Sequence, residues 1–157
     1  MPITPALIGK GISGLAATPS VDKESQTLAD RLLASVGFTV WVDEEEKIDA
    51  VTAISGSGSA YVFYFIEALQ EAAARLGLSE EQGRNLAIAT FEGAAQLANN
   101  SNESPSFLRE SITSKGGTTA AALATFDSLD VKESIVQGAI AADKRATAMA
   151  DEFSKAD

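Results

Sequence analysis

Residues Ala60 to Ile66 read AYVFYFI, and no other stretch limits the possible folds of this chain so strongly. The spacing predicts a helix from Ala60 to Leu76, closed by Gly77. Its first two turns are hydrophobic on every side, and a helix apolar all round must be covered all round. The apolar run stops at Glu67, well short of the roughly 20 residues that a bilayer span needs. A chain of 157 residues suits one domain or slightly more and has little core to spare for such a helix. The covering surface is therefore expected from a partner subunit, in a homodimer or a higher homo-oligomer.

The pattern is helical from Glu44 onward. The acidic run Glu44 to Glu46 suits a helix start, where negative charge meets the helix dipole, and Ile48, Val51 and Ile54 line one face. Ser55 to Ser59 read SGSGS. This is not a dinucleotide fingerprint: position 61, where the third glycine would fall, is tyrosine, and helix rather than strand precedes it. The small residues are expected to permit close backbone contact at a helix junction. Ser79 to Gln82 (SEEQ) is a capping box opening a helix that carries Leu86, Ile88, Phe91, Ala95 and Ala98, and Asn99 to Asn102 break it. Ser104-Pro105 opens a short helix. Asp130 and Glu133 form a cap-like pair before the last helix, along which Ile135, Ala139, Ala142, Ala146, Met149 and Phe153 make a coiled-coil-like seam. Ser154 to Asp157 are the disorder-prone end.

The first 43 residues differ. Met1 to Pro5 is expected to be extended, because each proline biases its predecessor away from helix. Gly11 to Ala17 reads as a strand, Ser20 as a helix cap, and Leu28, Leu32, Leu33 and Val36 as a helix stopped by Gly37. Phe38 to Val42 reads as a second strand. Two strands and one helix cannot bury both faces of a sheet, so this piece is expected to be poorly anchored or to lean on the helices that follow. The expected fold is mainly α: a β-α-β remnant of an α/β domain over residues 1–43, then a helical domain over 44–157.

Leu108 to Asp127 (LRESITSKGGTTAAALATFD) carries the chemistry. Gly116 and Gly117 admit backbone conformations that other residues resist, and Thr118 or Thr119 is placed to cap the following helix. Such a turn aims free N–H groups outward at the positive end of a helix dipole, which suits a carboxylate or a phosphate. The same sequence also serves as a plain connector with a good cap.

Composition narrows the classes. A net charge of −10 opposes nucleic acid and anionic lipid. The chain has no cysteine, hence no disulfide framework and no thiolate chemistry, and no histidine, which removes the commonest general base and metal ligand; no metal site is expected. Nothing at the N-terminus resembles a signal peptide, and the expected location is cytoplasmic.

Pro105, Leu108, Ile112, Thr113, Ser114, Gly117, Thr119, Ala122, Leu123, Phe126 and Asp127 stand where the pyrroline-5-carboxylate reductase signature wants them. The resemblance extends from MPITPALIGKGISGL through AVTAISGSGSAYVFYFIEAL to the last helix, so the chain looks like the later half of such an enzyme. It implies a Rossmann domain for NADPH or NADH, mostly absent here, and a helical domain that intertwines with its twin. It further implies reduction of 1-pyrroline-5-carboxylate, a small carboxylate substrate, to proline. By resemblance Ser114, Lys115, Gly116, Gly117, Thr118 and Thr119 hold the substrate carboxylate, with Thr119 as the residue whose hydroxyl meets the ring nitrogen. Pro2 and Thr4 are carried over as cofactor contacts. Ile3 stands where asparagine is usual, and Ser59 and Lys115 where proline is usual. The chain alone is expected to be inactive; the alternatives are a non-enzymatic helical dimerisation module or a small-carboxylate-binding module.

Overall fold

The computed structural model describes residues 4–154. Their contacts divide the chain into two compact units: the residues up to Ala60 with those from Val136 onward, and Tyr61–Ile135.

In the first unit, β1 (Gly11–Leu15), α1 (Lys23–Ala34) and β2 (Gly37–Trp41) form a β-α-β unit. The strands run parallel, from the pair Gly11 and Gly37 to the pair Leu15 and Trp41. Parallel neighbours need a crossover, and α1 supplies it. Asp22 rather than Ser20 caps α1, through Ser25 N–H donating to its Oδ1 at 2.7 Å, while the Ser20 hydroxyl meets that of Thr18. Gly37 is not the helix stop but the first residue of β2, since α1 has closed at Ser35. Its φ of +151° and the 2.0 Å between a β-carbon there and the Gly11 carbonyl oxygen leave no room for a side chain. Thr4–Ile8 is a 3₁₀ turn rather than extended, closed by Gly9 N–H on Ala6 and Lys10 N–H on Pro5; the rest of the expected extended segment lies outside the described residues.

The β-α-β piece leans on α2 (Lys47–Val51), whose Ile48 and Val51 lie over Gly14. Glu44 to Glu46 precede α2 in a turn, and Lys47 pairs with Asp43 at 2.6 Å. Thr52–Gly56 continues α2 as a π-helical turn, with Ser57 N–H donating to the Thr52 carbonyl at 2.9 Å, and buries Ala53 to 2 % exposure. Ile54 is exposed instead of sharing the face of Ile48 and Val51, because the wider turn breaks the 3.6-residue period. The close backbone contact expected of SGSGS is not seen: a side chain at Gly58 would meet nothing within 4 Å. Within the same unit, Thr147 Oγ1 on α7 (Val131–Ser154) donates to Asp49 Oδ2 at 2.9 Å.

In the second unit, the part of α3 (Gly58–Arg75) from Tyr61 onward and α4 (Glu80–Asn99) form a hairpin. Gly77, at φ +89°, donates to Ala74 and Leu78 N–H to Ala73, so the carbonyls at the end of α3 are met. The capping box is present: Gln82 N–H reaches Ser79 Oγ at 3.2 Å and Ser79 N–H reaches Gln82 Oε1 at 2.9 Å. A β-carbon on Gly83 would lie 2.9 Å from that of Ala73, and the Phe65 and Phe91 rings pack with centroids 6.4 Å apart. The packed line of α4 is Gly83, Ala87 and Phe91, at four-residue steps, with Ile88 half-buried beside it. Leu86, Ala95 and Ala98 are exposed.

Proline-led α5 (Pro105–Ser111) and α6 (Thr118–Ser128) follow. Before α7, Asp130 sits at φ +51° and accepts from Ser134 N–H and Oγ through its backbone carbonyl. Of the α7 seam, Ala139, Ala142 and Ala146 are half-buried and Ile135 and Met149 exposed; the Phe153 side chain lies outside the described residues. Among the described residues the buried apolar set is Ala53, Ala73 and Ala87, whereas Phe63 is 59 % and Tyr64 71 % exposed. No helix among them is long and apolar enough to cross a membrane.

Replacing Ser79 with alanine should lower the stability of the α3–α4 hairpin by about 1 kcal/mol, with Ser79→Asp restoring most of it, as read by denaturant melts. The Ser25 backbone N–H holds the Asp22 carboxyl below the usual aspartate range. Because the folded value is the lower one, its contribution is complete above that range and is lost as pH falls through the lowered value. Asp22→Asn keeps a neutral acceptor, so its acid melt should lose less helicity below about pH 4 than the native chain does.

Candidate functional site

The loop between α5 and α6 is built by its neighbours. Ser104 caps α5 through Phe107 N–H at 3.2 Å, and Thr113 closes it by donating Oγ1 to the Arg109 carbonyl at 2.6 Å. The chain then turns through Ser114, Lys115, Gly116 and Gly117. Gly116 is left-handed at φ +74°, and Gly117 N–H donates to the Ser114 carbonyl at 3.0 Å. A β-carbon on Gly117 would stand 2.5 Å from Ser114 Oγ and 3.2 Å from the Ser114 carbonyl oxygen, so a side chain there would make the Ser114 hydroxyl rotate away.

Gly117 itself is the N-cap of α6, and its carbonyl accepts from Ala121 N–H at 3.1 Å. Neither Thr118 nor Thr119 caps the helix; they are its first two residues. The reason is the tightness of the Ser114–Gly117 turn, which brings the backbone into helical conformation one residue earlier than a threonine cap would. Glycine has no side chain to satisfy the first-turn amides. Among the described residues, the N–H groups of Lys115, Gly116, Thr118, Thr119 and Ala120 find no acceptor, nor do the hydroxyls of Ser114, Thr118 and Thr119 a partner. The loop thus brings together the six residues expected of it. It offers unpaired donors at the positive end of a helix dipole, an arrangement that holds an anion without a titrating side chain.

The expected cofactor residues do not join them. Pro2 lies outside the described residues, and Thr4 has only its backbone described, in the 3₁₀ turn. A dinucleotide's pyrophosphate is held by a glycine-rich turn between a strand and a helix. Here the connection from β1 to α1 runs Ala16 to Asp22 without a glycine. A cavity of about 560 Å³ opens beyond the C-terminal ends of both strands, lined by Lys23, Asp30, Trp41 and Asp43 among others. Asp30 Oδ1 in it accepts from Thr39 Oγ1 at 2.7 Å and Trp41 Nε1 at 3.1 Å. With no glycine-rich turn at this connection, the residues described there do not form a pyrophosphate cradle. The Asp30 cluster escaped the sequence reading, because an Asp and a Trp eleven residues apart, on helix and strand, carry no periodic signal.

Residues 45–149 match the family described as pyrroline-5-carboxylate reductase dimerisation. The chain belongs to the pyrroline-5-carboxylate reductase family. It is 42 % identical over 153 residues to the pyrroline-5-carboxylate reductase of Pseudomonas aeruginosa, covering 98 % of this chain and 56 % of that protein. It is 46 % identical over 138 residues to that of Haemophilus influenzae, covering 87 % and 51 %. Among solved structures, the pyrroline-5-carboxylate reductase of Coxiella burnetii superposes with a TM-score of 0.90 at 41 % identity, over 94 % of this chain and 54 % of that one. The Plasmodium falciparum pyrroline carboxylate reductase, solved with NADP bound, gives 0.86 at 32 % identity, over 95 % and 61 %. The chain spans about half the length of the curated relatives it matches.

Gly117→Ala should displace Ser114 while leaving α4 and α7 intact. In amide NMR spectra the large shift changes should be confined to the loop and the first turn of α6; changes spread through α4 would contradict the local account.

Proposed function

We propose that this chain provides the substrate-binding and dimerisation part of a pyrroline-5-carboxylate reductase, which reduces the cyclic imine of 1-pyrroline-5-carboxylate to proline. On this reading residues 44–157 form that part, and residues 1–43 are the trailing strand-helix-strand of the dinucleotide-binding domain. The observation that carries the reading is the loop from Ser114 into α6, whose amides at Lys115, Gly116, Thr118, Thr119 and Ala120 are left open in a member of this family. The substrate carboxylate sits on those amides, and the Thr119 hydroxyl meets the ring nitrogen. A protonated imine needs orientation and exclusion of water more than a nucleophile. A chain without histidine or cysteine meets that requirement. Hydride comes from NADPH or NADH held by residues other than these.

Homodimerisation, or assembly into a larger homo-oligomer, is supported by the apolar surface that the chain leaves uncovered at Val62, Phe63 and Tyr64. The lack of cysteine supports a reducing compartment such as the cytoplasm.

Calorimetric titration of the chain with proline or pyrrole-2-carboxylate tests the site. Thr119→Ala should weaken binding about tenfold, the order expected for losing one hydrogen bond to a charged group; an unchanged affinity would remove the loop as the site. NADPH should show no saturable binding to this chain at micromolar concentrations. Light scattering after size exclusion should show a dimer or larger, and Phe63→Asp should shift it toward monomer. A stable native monomer would count against the partner-covered helix.

A further inference from the structure

Each strand of the sheet has one neighbour, so each leaves an edge open. On β1, Gly11 N–H donates to the Val36 carbonyl at 2.9 Å, and the Leu15 carbonyl accepts from Val42 N–H at 2.8 Å. Gly11, Ser13 and Leu15 therefore turn their backbone groups toward β2, while Ile12 and Gly14 turn theirs outward. Among the described residues those outward N–H and C=O groups find no partner.

The two edges differ in what surrounds them. Where β2 ends, the cavity already described sets Lys23, Asp30 and Asp43 around Trp41, and charges beside an edge discourage a further strand. Along β1 runs a second cavity, of about 550 Å³, lined by the consecutive residues Gly11 to Gly14. Consecutive residues of a strand point to opposite faces, so this cavity follows the edge rather than one face. Its walls include Leu33, Val36, Ile48 and Val51, all apolar. Gly11 to Ala16 carry neither a charge nor a proline, the common guards of an exposed edge. β1 thus presents an apolar slot with unpaired backbone groups along it, which suits an extended apolar segment.

The occupant follows from what the chain lacks and from where it enters. The chain spans about half the length of its curated relatives, and a two-stranded sheet falls short of the three strands that stand alone. Ala6, in the 3₁₀ turn that leads into β1, lines the slot, and consecutive elements of a chain are usually neighbours in space. Thr4 to Lys10 is too short for the dozen or more residues of a parallel crossover, so a strand entering through it runs antiparallel to β1.

We infer that the open edge of β1, and not that of β2, takes an antiparallel strand from the dinucleotide-binding half, and that its slot is formed before that half arrives, so that the half also docks when supplied as a separate polypeptide. The inference rests on the reading of residues 1–43 given above.

The test co-expresses the full chain, tagged, with the portion of the Pseudomonas aeruginosa enzyme outside the matched region, beside a covalent fusion of the same two pieces. The tagged chain should retain the second polypeptide, and the pair should bind NADPH. Hydrogen exchange at the Ile12 and Gly14 amides should slow about a hundredfold relative to the chain alone. Ile12→Pro removes one outward N–H and no bond to β2, and Val36→Lys puts a charge in the slot with every backbone bond in place; both should abolish retention. Gln26→Lys, in the other cavity, should leave it unchanged. Retention that survives Val36→Lys, or that leaves exchange at Ile12 and Gly14 unaltered, would mean docking elsewhere and overturn the inference. NADPH binding by the fusion without retention in the mixture would show that the slot is not ready-made, and would overturn it too. Slow exchange at those amides in the chain alone, rising with concentration, would give the edge to a second copy instead. If neither the pair nor the fusion binds NADPH, the reading of residues 1–43 falls and the inference falls with it.

Discussion

Scarcity of buried apolar volume dominates this molecule. Three alanines make up the buried apolar set among the described residues, and alanine contributes the least area of any apolar side chain that packs. Leu97, Ile54, Phe63 and Tyr64 face outward. What holds the chain locally is backbone chemistry: the Ser79–Gln82 box, the Gly77 closure, the Asp22 cap and the parallel pairing of β1 with β2. Each ties neighbouring segments together while covering little surface. The family's dimerisation region, residues 45–149, contains the exposed Ile54, Phe63, Tyr64 and Leu97.

The same economy shapes contact points. Gly83 against Ala73 and Gly37 against Gly11 are places where backbones meet with almost no side chain between them. The α5–α6 loop uses glycine for the opposite purpose. Gly117 gives up a capping side chain, and the amides that a serine or aspartate would have satisfied stay available. Close packing and open donors thus come from one residue type, and the outcome is decided by what lies opposite.

Much of this was legible from local pattern. The capping box, the Gly77 stop, the Pro105 start and the two strands each depend on a few adjacent residues, and the structure has them at or near where the sequence places them, with β1 ending at Leu15 instead of Ala17 and β2 running Gly37–Trp41 instead of Phe38–Val42. The α5–α6 loop was legible as a Gly-Gly turn before an alanine-rich helix. Its cap was misplaced, because the choice between Gly117 and a threonine depends on the turn back to Ser114, which propensity does not report. Ser20 lost to Asp22 for a similar reason: both residue types cap well, and only the start of α1 discriminates. On α4 a helix crossing at close range selects small residues, Gly83 and Ala87, which the sequence reading did not name. Ile54 left its expected face because a π-helical turn adds a residue that a regular period does not anticipate.

The bare N-cap of α6 would tie occupancy by an anion to local folding. A helix whose first amides lack acceptors frays at that end, and water exchanges those protons readily. An anion seated on Thr118 to Ala120 would complete the cap from outside, so the guest becomes a structural member of the helix. Hydrogen exchange at those amides would then slow in proportion to occupancy, and the opening turn of α6 would report on its own ligand without any larger movement of the chain.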